Sequence, residues 1–298
     1  MLIKSLKREY PLVLMLLPGA LLVFVFSYIP MFGILISFQR YIPARGFTGS
    51  DWVGWDNFAY VFHLPTVGRV FWNTIYISAM KILLGFFVPI VVALLLNEVT
   101  HNKFKRVVQT MVYLPHFLSW VLLAGILLDV LSLHGIANQA LSYFGVEPIY
   151  FLGDNRWFPL TLILSDVWKE FGFATIVYLA ALTSINPSLY EAAVIDGANR
   201  WKQTLYVTLP GMLPIMILVA TLSLGNVLNA NFDQVFNLYS PSVYESGDVI
   251  DTLIYRIGLQ DTQFSVSAAL GLFRSVISFG LISVSYWAAY RFANYRIF

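Results

Sequence analysis

Six stretches of this chain are apolar over a length that crosses a bilayer, and no ordinary soluble core can absorb that many. About 30 Å of hydrocarbon takes roughly 20 helical residues, and runs of that order lie near 11–37, 70–97, 106–129, 160–182, 211–229 and 266–290. The polar residues are correspondingly few. Only 11% of the residues are charged and 58% are hydrophobic, whereas about a quarter of a soluble domain is ordinarily charged. Lipid must therefore solvate much of the surface. The pattern predicts an all-α integral membrane protein with six transmembrane helices, forming a single transmembrane domain over 1–298. The connecting segments are too short to hold a separate soluble domain.

The first apolar run follows Lys4, Lys7 and Arg8, but it is too long for a secretion signal and lacks an A-x-A exit, so it reads as a retained span. Pro18 and Pro30 predict bends within it, the freed carbonyls being satisfied by neighbouring groups. Orientation follows from the basic residues between spans. An internal N-terminus places Lys4, Lys7, Arg8, Lys103, Lys105, Arg106, Arg200, Lys202, Arg291 and Arg296 in the cytoplasm, against Arg40, Arg45, Arg69, Arg156 and Arg256 outside. That is the bias expected of a plasma-membrane protein whose six spans also return the C-terminus to the cytoplasm.

Several kinds of chemistry are excluded. A net charge of +2, with basic residues dispersed in short clusters, gives no stripe for nucleic acid. Cysteine is absent, so no disulfide or thiol chemistry is available. His63, His101, His116 and His134 have no metal-ligand spacing, and no metal or cofactor is expected. No nucleophile, base and orienting group assemble into a catalytic motif. No G-x-x-x-x-G-K-[ST] occurs, so any ATP must be bound by another subunit.

The most specific local pattern lies in a polar break at 184–210, between the fourth and fifth apolar runs. Ser188-Leu189-Tyr190-Glu191 has the form of a capping box, in which Glu191 reaches back to the Ser188 backbone. A short helix is predicted there. Ala192 and Ala193 keep one side of it narrow, and Gly197 permits a turn before a second short helix opens at Asn199. Small residues, a bend and the flanking Arg200 and Lys202 describe a docking element on the cytoplasmic side. A lone S-x-x-E would be only a helix cap; the full pattern is far rarer.

Glu191-Ala192-Ala193, then Gly197, then Val207 with Leu209-Pro210 resembles the "EAA" signature E-A-A-x3-G-x9-I-x-L-P of type I ABC importer permeases. Val207 stands where isoleucine is usual. The wider chain is similar to the maltose-permease-like carbohydrate-uptake family, in particular its oligo- and polysaccharide branch. The residues behind this are Trp52-Val53-Gly54-Trp55-Asp56-Asn57-Phe58, Leu94-Leu95-Leu96-Asn97-Glu98, Tyr113-Leu114-Pro115-His116-Phe117-Leu118-Ser119-Trp120, and Asp248-Val249-Ile250-Asp251-Thr252 with Tyr255-Arg256. The resemblance implies that Glu191, Ala192, Ala193, Asp196, Gly197, Leu209 and Pro210 couple the subunit to an ATPase. It also implies a second related permease, in a heterodimer more readily than a homodimer, two ATPase subunits and an extracytoplasmic sugar-binding protein.

Polar residues inside the spans need partners or a function. Lys81, Asp166, Lys169, Glu170 and Arg274 interrupt apolar runs, and each would cost at least about 2.5 kcal/mol facing lipid near the bilayer centre. At 1.5 Å per residue, Lys81, Glu170 and Arg274 fall at similar depths and are expected to converge. Ser223, Asn226 and Asn229, three apart, form one polar stripe. Sugar hydroxyls need such amides, hydroxyls and carboxylates, with aromatic faces beneath the pyranose C–H surface; Trp168, Phe171 and Phe173 offer these. In the resembled family the spans flanking the EAA loop line the translocation cavity. That selects Glu170, Phe173, Ser223 and Asn226, extended to Asn229, Lys81 and Arg274, as candidate lining. The bland reading is that these groups merely join helices.

Lys81, Lys169 and Arg274 also fit an anionic substrate, but ion pairing with Asp166 or Glu170 accounts for them without one and is the preferred reading. The third external segment, 230–265, carries Asp233, Glu245, Asp248, Asp251 and Asp261, each expected to be solvated on a surface that meets the binding protein. The second contains 135–144, expected as an interfacial helix. The function expected is ATP-driven alternating-access import of an oligo- or polysaccharide, with no bond chemistry in this chain. Importer permeases for other solutes carry the same loop and remain an alternative. A secondary transporter would favour inverted repeats, and none is evident between the first and second three spans.

Overall fold

The computed structural model describes residues 2–293; Arg296, assigned above to the inner side, lies outside the described residues. The chain folds as two compact units. One draws on residues up to 64 and on 254–273, the other on 65–253 and on residues from 274 onward.

The first unit opens with α1 (Leu2–Val23), which passes through Pro18 without ending. The helix changes type ahead of Pro30 instead. A π-helical turn over Phe24–Tyr28 closes with the Ile29 N–H on the Phe24 carbonyl, and a 3-10 helix, Ile29–Phe38, follows with Pro30 at its start. Proline has no N–H to donate to the preceding turn, so the ladder shifts register there. β1 (Gln39–Arg40) then pairs antiparallel with β2 (Asp51–Trp52). Asn57, in α2 (Asp56–His63), donates from Nδ2 to the Ser37 and Gln39 carbonyls at 2.9 and 3.0 Å and fixes this hairpin on the helix end. Phe38 stacks against Trp52 with 5.9 Å between ring centres. This unit also holds a π-helical turn, Arg256–Gln260, and the first residues of α14 (Phe264–Ala293).

The second unit is built around α3 (Pro65–Glu98) packed along α7 (Phe158–Thr183). Two buried clusters hold the pair. Toward the α7 start, Ile77, Phe158, Leu162 and Ile163 pack with Ala230, Val235 and Leu238. Toward its end, Ile90, Ala93, Tyr178, Ala181 and Leu182 pack with Met212. Between α3 and α7 run α4 (Asn102–Tyr113), α5 (Trp120–Val130) and α6 (Ile136–Ser142). A Cβ on Gly172 of α7 would strike the Val112 carbonyl, so the α4 and α7 backbones touch there. The run expected as one span over 106–129 is sharply bent: α4 with a 3-10 turn over Leu114–Phe117 meets α5 at 106°. Pro115 starts that tight turn, and Ser119 accepts the Leu122 N–H at 3.4 Å to begin a new helix.

After α7 come α8 (Pro187–Ile195), α9 (Arg200–Gln203), a π-helical turn over Thr204–Thr208 and α10 (Leu209–Leu224). The run expected to 229 stops at Leu224; i→i+3 bonds from Asn226 to Ser223 and from Asn229 to Asn226, at 2.9 and 2.8 Å, replace the helix. α11 (Phe232–Leu238), α12 (Tyr244–Gly247) and α13 (Ile250–Tyr255) precede α14. Among the described residues four helices are long and apolar enough to cross a membrane, or six if each of two bent helix pairs counts as one span.

Two acidic residues expected to be solvated are not. Asp248 is buried and accepts from Thr252 Oγ1 at 2.7 Å, while the Ile250 N–H donates to Thr74 Oγ1 at 2.9 Å. Asp251 pairs with Arg274. The Asp-Val-Ile-Asp-Thr stretch is thus a packing device, satisfying backbone groups that the chain buries beside α3.

Candidate functional site

The first helix of the 184–210 loop is closed by a side chain at its start and by backbone bonds at its end. The cap is Asn186, whose oxygen accepts the Ser188 N–H at 3.0 Å, with Pro187 at the first helical position. The capping box centred on Ser188 is corrected accordingly. Asparagine is a strong cap and proline gives up no bond at that position, so helix α8 starts earlier and leaves Glu191 exposed. At the far end the Ala198 N–H reaches the Ala193 carbonyl at 2.8 Å and the Gly197 N–H reaches Val194 at 3.0 Å. This pair of bonds is a Schellman motif, which demands a left-handed residue; Gly197 supplies it at φ +76°.

Asn199 then caps α9 by accepting the Lys202 N–H at 2.9 Å. Glu191, Ala192, Asp196, Gly197 and Pro210 are exposed, Ala193 and Leu209 half-buried. The apolar side chains of Val194, Ile195 and Trp201 beside them are also exposed, Ile195 at 86%. Tyr190 Oη and Thr208 Oγ1, 3.0 Å apart, tie the loop's two halves together.

A polar cavity of about 630 Å³ lies in the same unit, lined by Ser78, Lys81, Ile82 and Gly85 of α3, Asp166 and Glu170 of α7, Ser223 of α10, and Asn226, Asn229 and Asn231 beyond it. The three-residue spacing of Ser223, Asn226 and Asn229 keeps them on one side, because 3-10 turns superpose every third residue. Lys81 is 7% exposed. Its ammonium donates to the Ala230 carbonyl at 2.8 Å and to Gln234 Oε1, and stands 3.5 Å from Asp166 Oδ1. Gln234, fully buried, passes its own amide hydrogens to Leu162 O and Ser165 Oγ at 2.7 and 2.8 Å. Asn231 donates to Asp166 at 3.2 Å. Every charge in this cluster has a partner, as burial requires.

Glu170 forms a second cluster. One carboxylate oxygen is 2.7 Å from His116 Nδ1 and the other 2.9 Å from Lys169 Nζ. Lys169 also donates to the His116 carbonyl at 2.9 Å. Its ammonium sits 5.7 Å from the Trp120 ring centre.

Of the residues expected to line one cavity, Lys81, Glu170, Ser223, Asn226 and Asn229 do. Phe173 and Arg274 do not. Phe173 stacks on His116 at 4.2 Å, and Arg274 is held by Asp251 and by the Leu228 carbonyl, at 3.0 Å from its Nη2. The expected convergence of Arg274 with Lys81 and Glu170 is replaced by that pairing, since a carboxylate nearer to Arg274 was available. Trp168 lines a separate apolar cleft of about 320 Å³ with Leu127, Trp157 and Leu164.

Residues 83–292 match the family described as the binding-protein-dependent transport system inner membrane component. The chain belongs to this family. It is a multi-pass membrane transport component, not an enzyme. The component is 39% identical over 299 residues, covering 100% of this chain and 93% of the relative, to the polygalacturonan/rhamnogalacturonan transport system permease protein YteP of Bacillus subtilis (strain 168). A chain of a bacterial ABC transporter involved in the import of the acidic polysaccharide alginate shares its fold, with a TM-score of 0.90 and 39% identity over 98% of this chain and 99% of that one. The bacterial alginate ABC transporter in complex with alginate pentasaccharide-bound periplasmic protein gives a TM-score of 0.89 at 39% identity, over 97% and 96% of the two chains.

Sequence reasoning missed His116, Asn231, Gln234 and Ser78 in this transport component. Asn231 and Gln234 fall outside any apolar run, where nothing marks a polar residue as buried. His116 sits in the Leu-Pro-His-Phe turn, and only the break in the helix, signalled by Pro115, could have placed it against α7.

Proposed function

We infer that this subunit is one of two permeases through which a binding-protein-dependent ABC importer moves an oligosaccharide derived from an acidic polysaccharide. The observation that carries the reading is the polar cavity between α3, α7 and α10, whose lining of amides, hydroxyl groups and carboxylates suits a ligand made of hydroxyls. The relatives supply the substrate class: one is described as a polygalacturonan/rhamnogalacturonan permease and another transporter as importing alginate. The exposed loop with Glu191, Ala192, Ala193, Asp196 and Gly197 faces the cytoplasm and docks an ATPase subunit, with both termini on that side. ATP-driven closure of two such subunits pushes on α8 and rocks the permease pair between outward and inward cavities. A saccharide-loaded binding protein presents the substrate at the outer mouth, and a second, related permease completes the pathway.

The test is ATP hydrolysis in nanodiscs by this chain co-expressed with its partner permease and ATPase, with a binding protein loaded from a panel of neutral and uronate-containing oligosaccharides. Stimulation by a uronate oligosaccharide is expected. A complex that never assembles with an ATPase, or one stimulated only by a non-saccharide solute, overturns the reading.

A further inference from the structure

Of the two carboxylates on the cavity wall, Glu170 is the one whose nitrogen partners are not themselves part of that wall. Lys81 and Asp166 both line the cavity, whereas Glu170 lines it without His116 or Lys169. Lys169 is 7% exposed, and its ammonium is turned toward the His116 carbonyl, the Glu170 carboxylate and the Trp120 ring. The Glu170 side chain is 40% exposed. His116 is held in place from its other side by the Phe173 ring, stacked at 4.2 Å and 7°. The carboxylate is therefore interposed between the cavity and two fixed nitrogen groups.

The formal charges around the cavity cancel. Lys81 answers Asp166 and Lys169 answers Glu170, with histidine counted neutral. A polyanion entering such a cavity meets no free cation that would hold it, and a site that must also release its cargo needs binding to be weak.

We propose that Glu170 sets the charge selectivity of this permease by masking Lys169 and His116 from the cavity, so that acidic and neutral saccharides are held about equally and an acidic one can leave. This rests on the saccharide reading above. Removing the Glu170 charge unmasks a lysine at the wall, and removing the Lys169 charge leaves an unanswered carboxylate. One unit charge acting over roughly 8 Å at an effective dielectric of about 40 changes affinity for a singly charged group about fivefold.

The experiment measures retention of two probes by the assembled importer in nanodiscs, binding protein omitted: a radiolabelled galacturonate trisaccharide and its fully methyl-esterified, neutral counterpart. Glu170→Gln is expected to raise the acidic-to-neutral retention ratio at least about fivefold, since the trisaccharide carries three carboxylates, Lys169→Met to lower it by a similar factor, and the double variant to return it to the parent value. The two single changes act in opposite directions, so if one variant does not assemble, the other together with the double variant still gives the sign. Equal effects on both probes, or a double variant that does not return to the parent ratio, overturns the masking role. If the parent complex retains neither trisaccharide and a saccharide-loaded binding protein does not stimulate its ATP hydrolysis either, the saccharide reading fails along with this one; if that stimulation is present, the masking role alone is overturned.

Discussion

Gly197 separates two accounts of the 184–210 loop by the order in which its variants fail. Its φ of +76° is left-handed, and a Cβ built on it meets no atom within 4 Å. Nothing within the subunit therefore obstructs a side chain there; the only internal cost is conformational. For alanine that cost is about 1–2 kcal/mol, whereas asparagine and aspartate adopt the left-handed region readily. If Gly197 serves only to turn the chain, alanine is the most harmful of the three substitutions and asparagine is close to neutral.

If an ATPase surface closes over the Schellman turn, the order inverts. Asparagine and aspartate then project into a packed interface, where overfilling costs typically 1–3 kcal/mol, and alanine intrudes least. We expect the second order: Gly197→Asn and Gly197→Asp to lose about tenfold or more in coupled uptake, from about 1.4 kcal/mol or more at the contact, and Gly197→Ala to lose less. Proteoliposome uptake and ATP hydrolysis are measured on the same preparations, with complex yield as the control for insertion. Coupled uptake that is lowest in the alanine variant and normal in the asparagine variant would falsify the docking argument and leave Gly197 as a turn residue.

Three further substitutions probe the second unit. Arg274→Gln is expected to lower uptake of neutral and acidic oligosaccharides by the same factor, because the guanidinium is bound to Asp251 and the Leu228 carbonyl and does not line the cavity; a loss confined to acidic substrates would return Arg274 to the recognition site. Asn186→Ala should remove the α8 cap and about 1 kcal/mol of local stability, seen as roughly fivefold faster amide exchange over 188–193. Ser188→Ala should change exchange there little, and the reverse ranking would reinstate the capping box.

What the sequence made legible depended on whether the relevant contact is local. The spans, the Gly197 turn and the Asn199 cap follow from residues within a few positions of one another, and the three-residue spacing of Ser223, Asn226 and Asn229 survived even though α10 ends at Leu224. The partner of a charged residue is a long-range fact. Lys81 meets Asp166 across α3 and α7, as pairing within the spans predicted. Arg274, assigned by depth to the same neighbourhood, pairs instead with Asp251 on a short helix that reads as a solvated loop. Helical rise fixes how deep a residue lies but not the direction it faces, and an apolar-run scan cannot see that 248–250 and 252–253 are buried among their neighbours.

The 184–210 loop and the cavity share their supporting elements, and this bears on how a push on that loop would be transmitted. α7 carries Asp166 and Glu170 and ends at Thr183, just before α8; α10 begins at Leu209, in the last residues of the loop, and carries Ser223. From Glu170 to Thr183 and from Leu209 to Ser223 the helical distances are each roughly 20 Å at 1.5 Å per residue. A displacement of α8 is thus applied to two cavity walls through levers of matching length. The link between them is stiff: Tyr190, Val207 and Leu209 pack on the cluster of Tyr178, Ala181, Leu182 and Met212 that joins α7 to α10, and Tyr190 is also within hydrogen-bonding distance of Thr208. Packed interiors move between discrete arrangements more readily than they deform. A force on the loop is therefore better carried by shifting both walls together against α3 than by bending the connection. The Lys81 cluster, which ties α3 to Asp166 and to the 230–234 segment, is where that shift would have to be resisted or released.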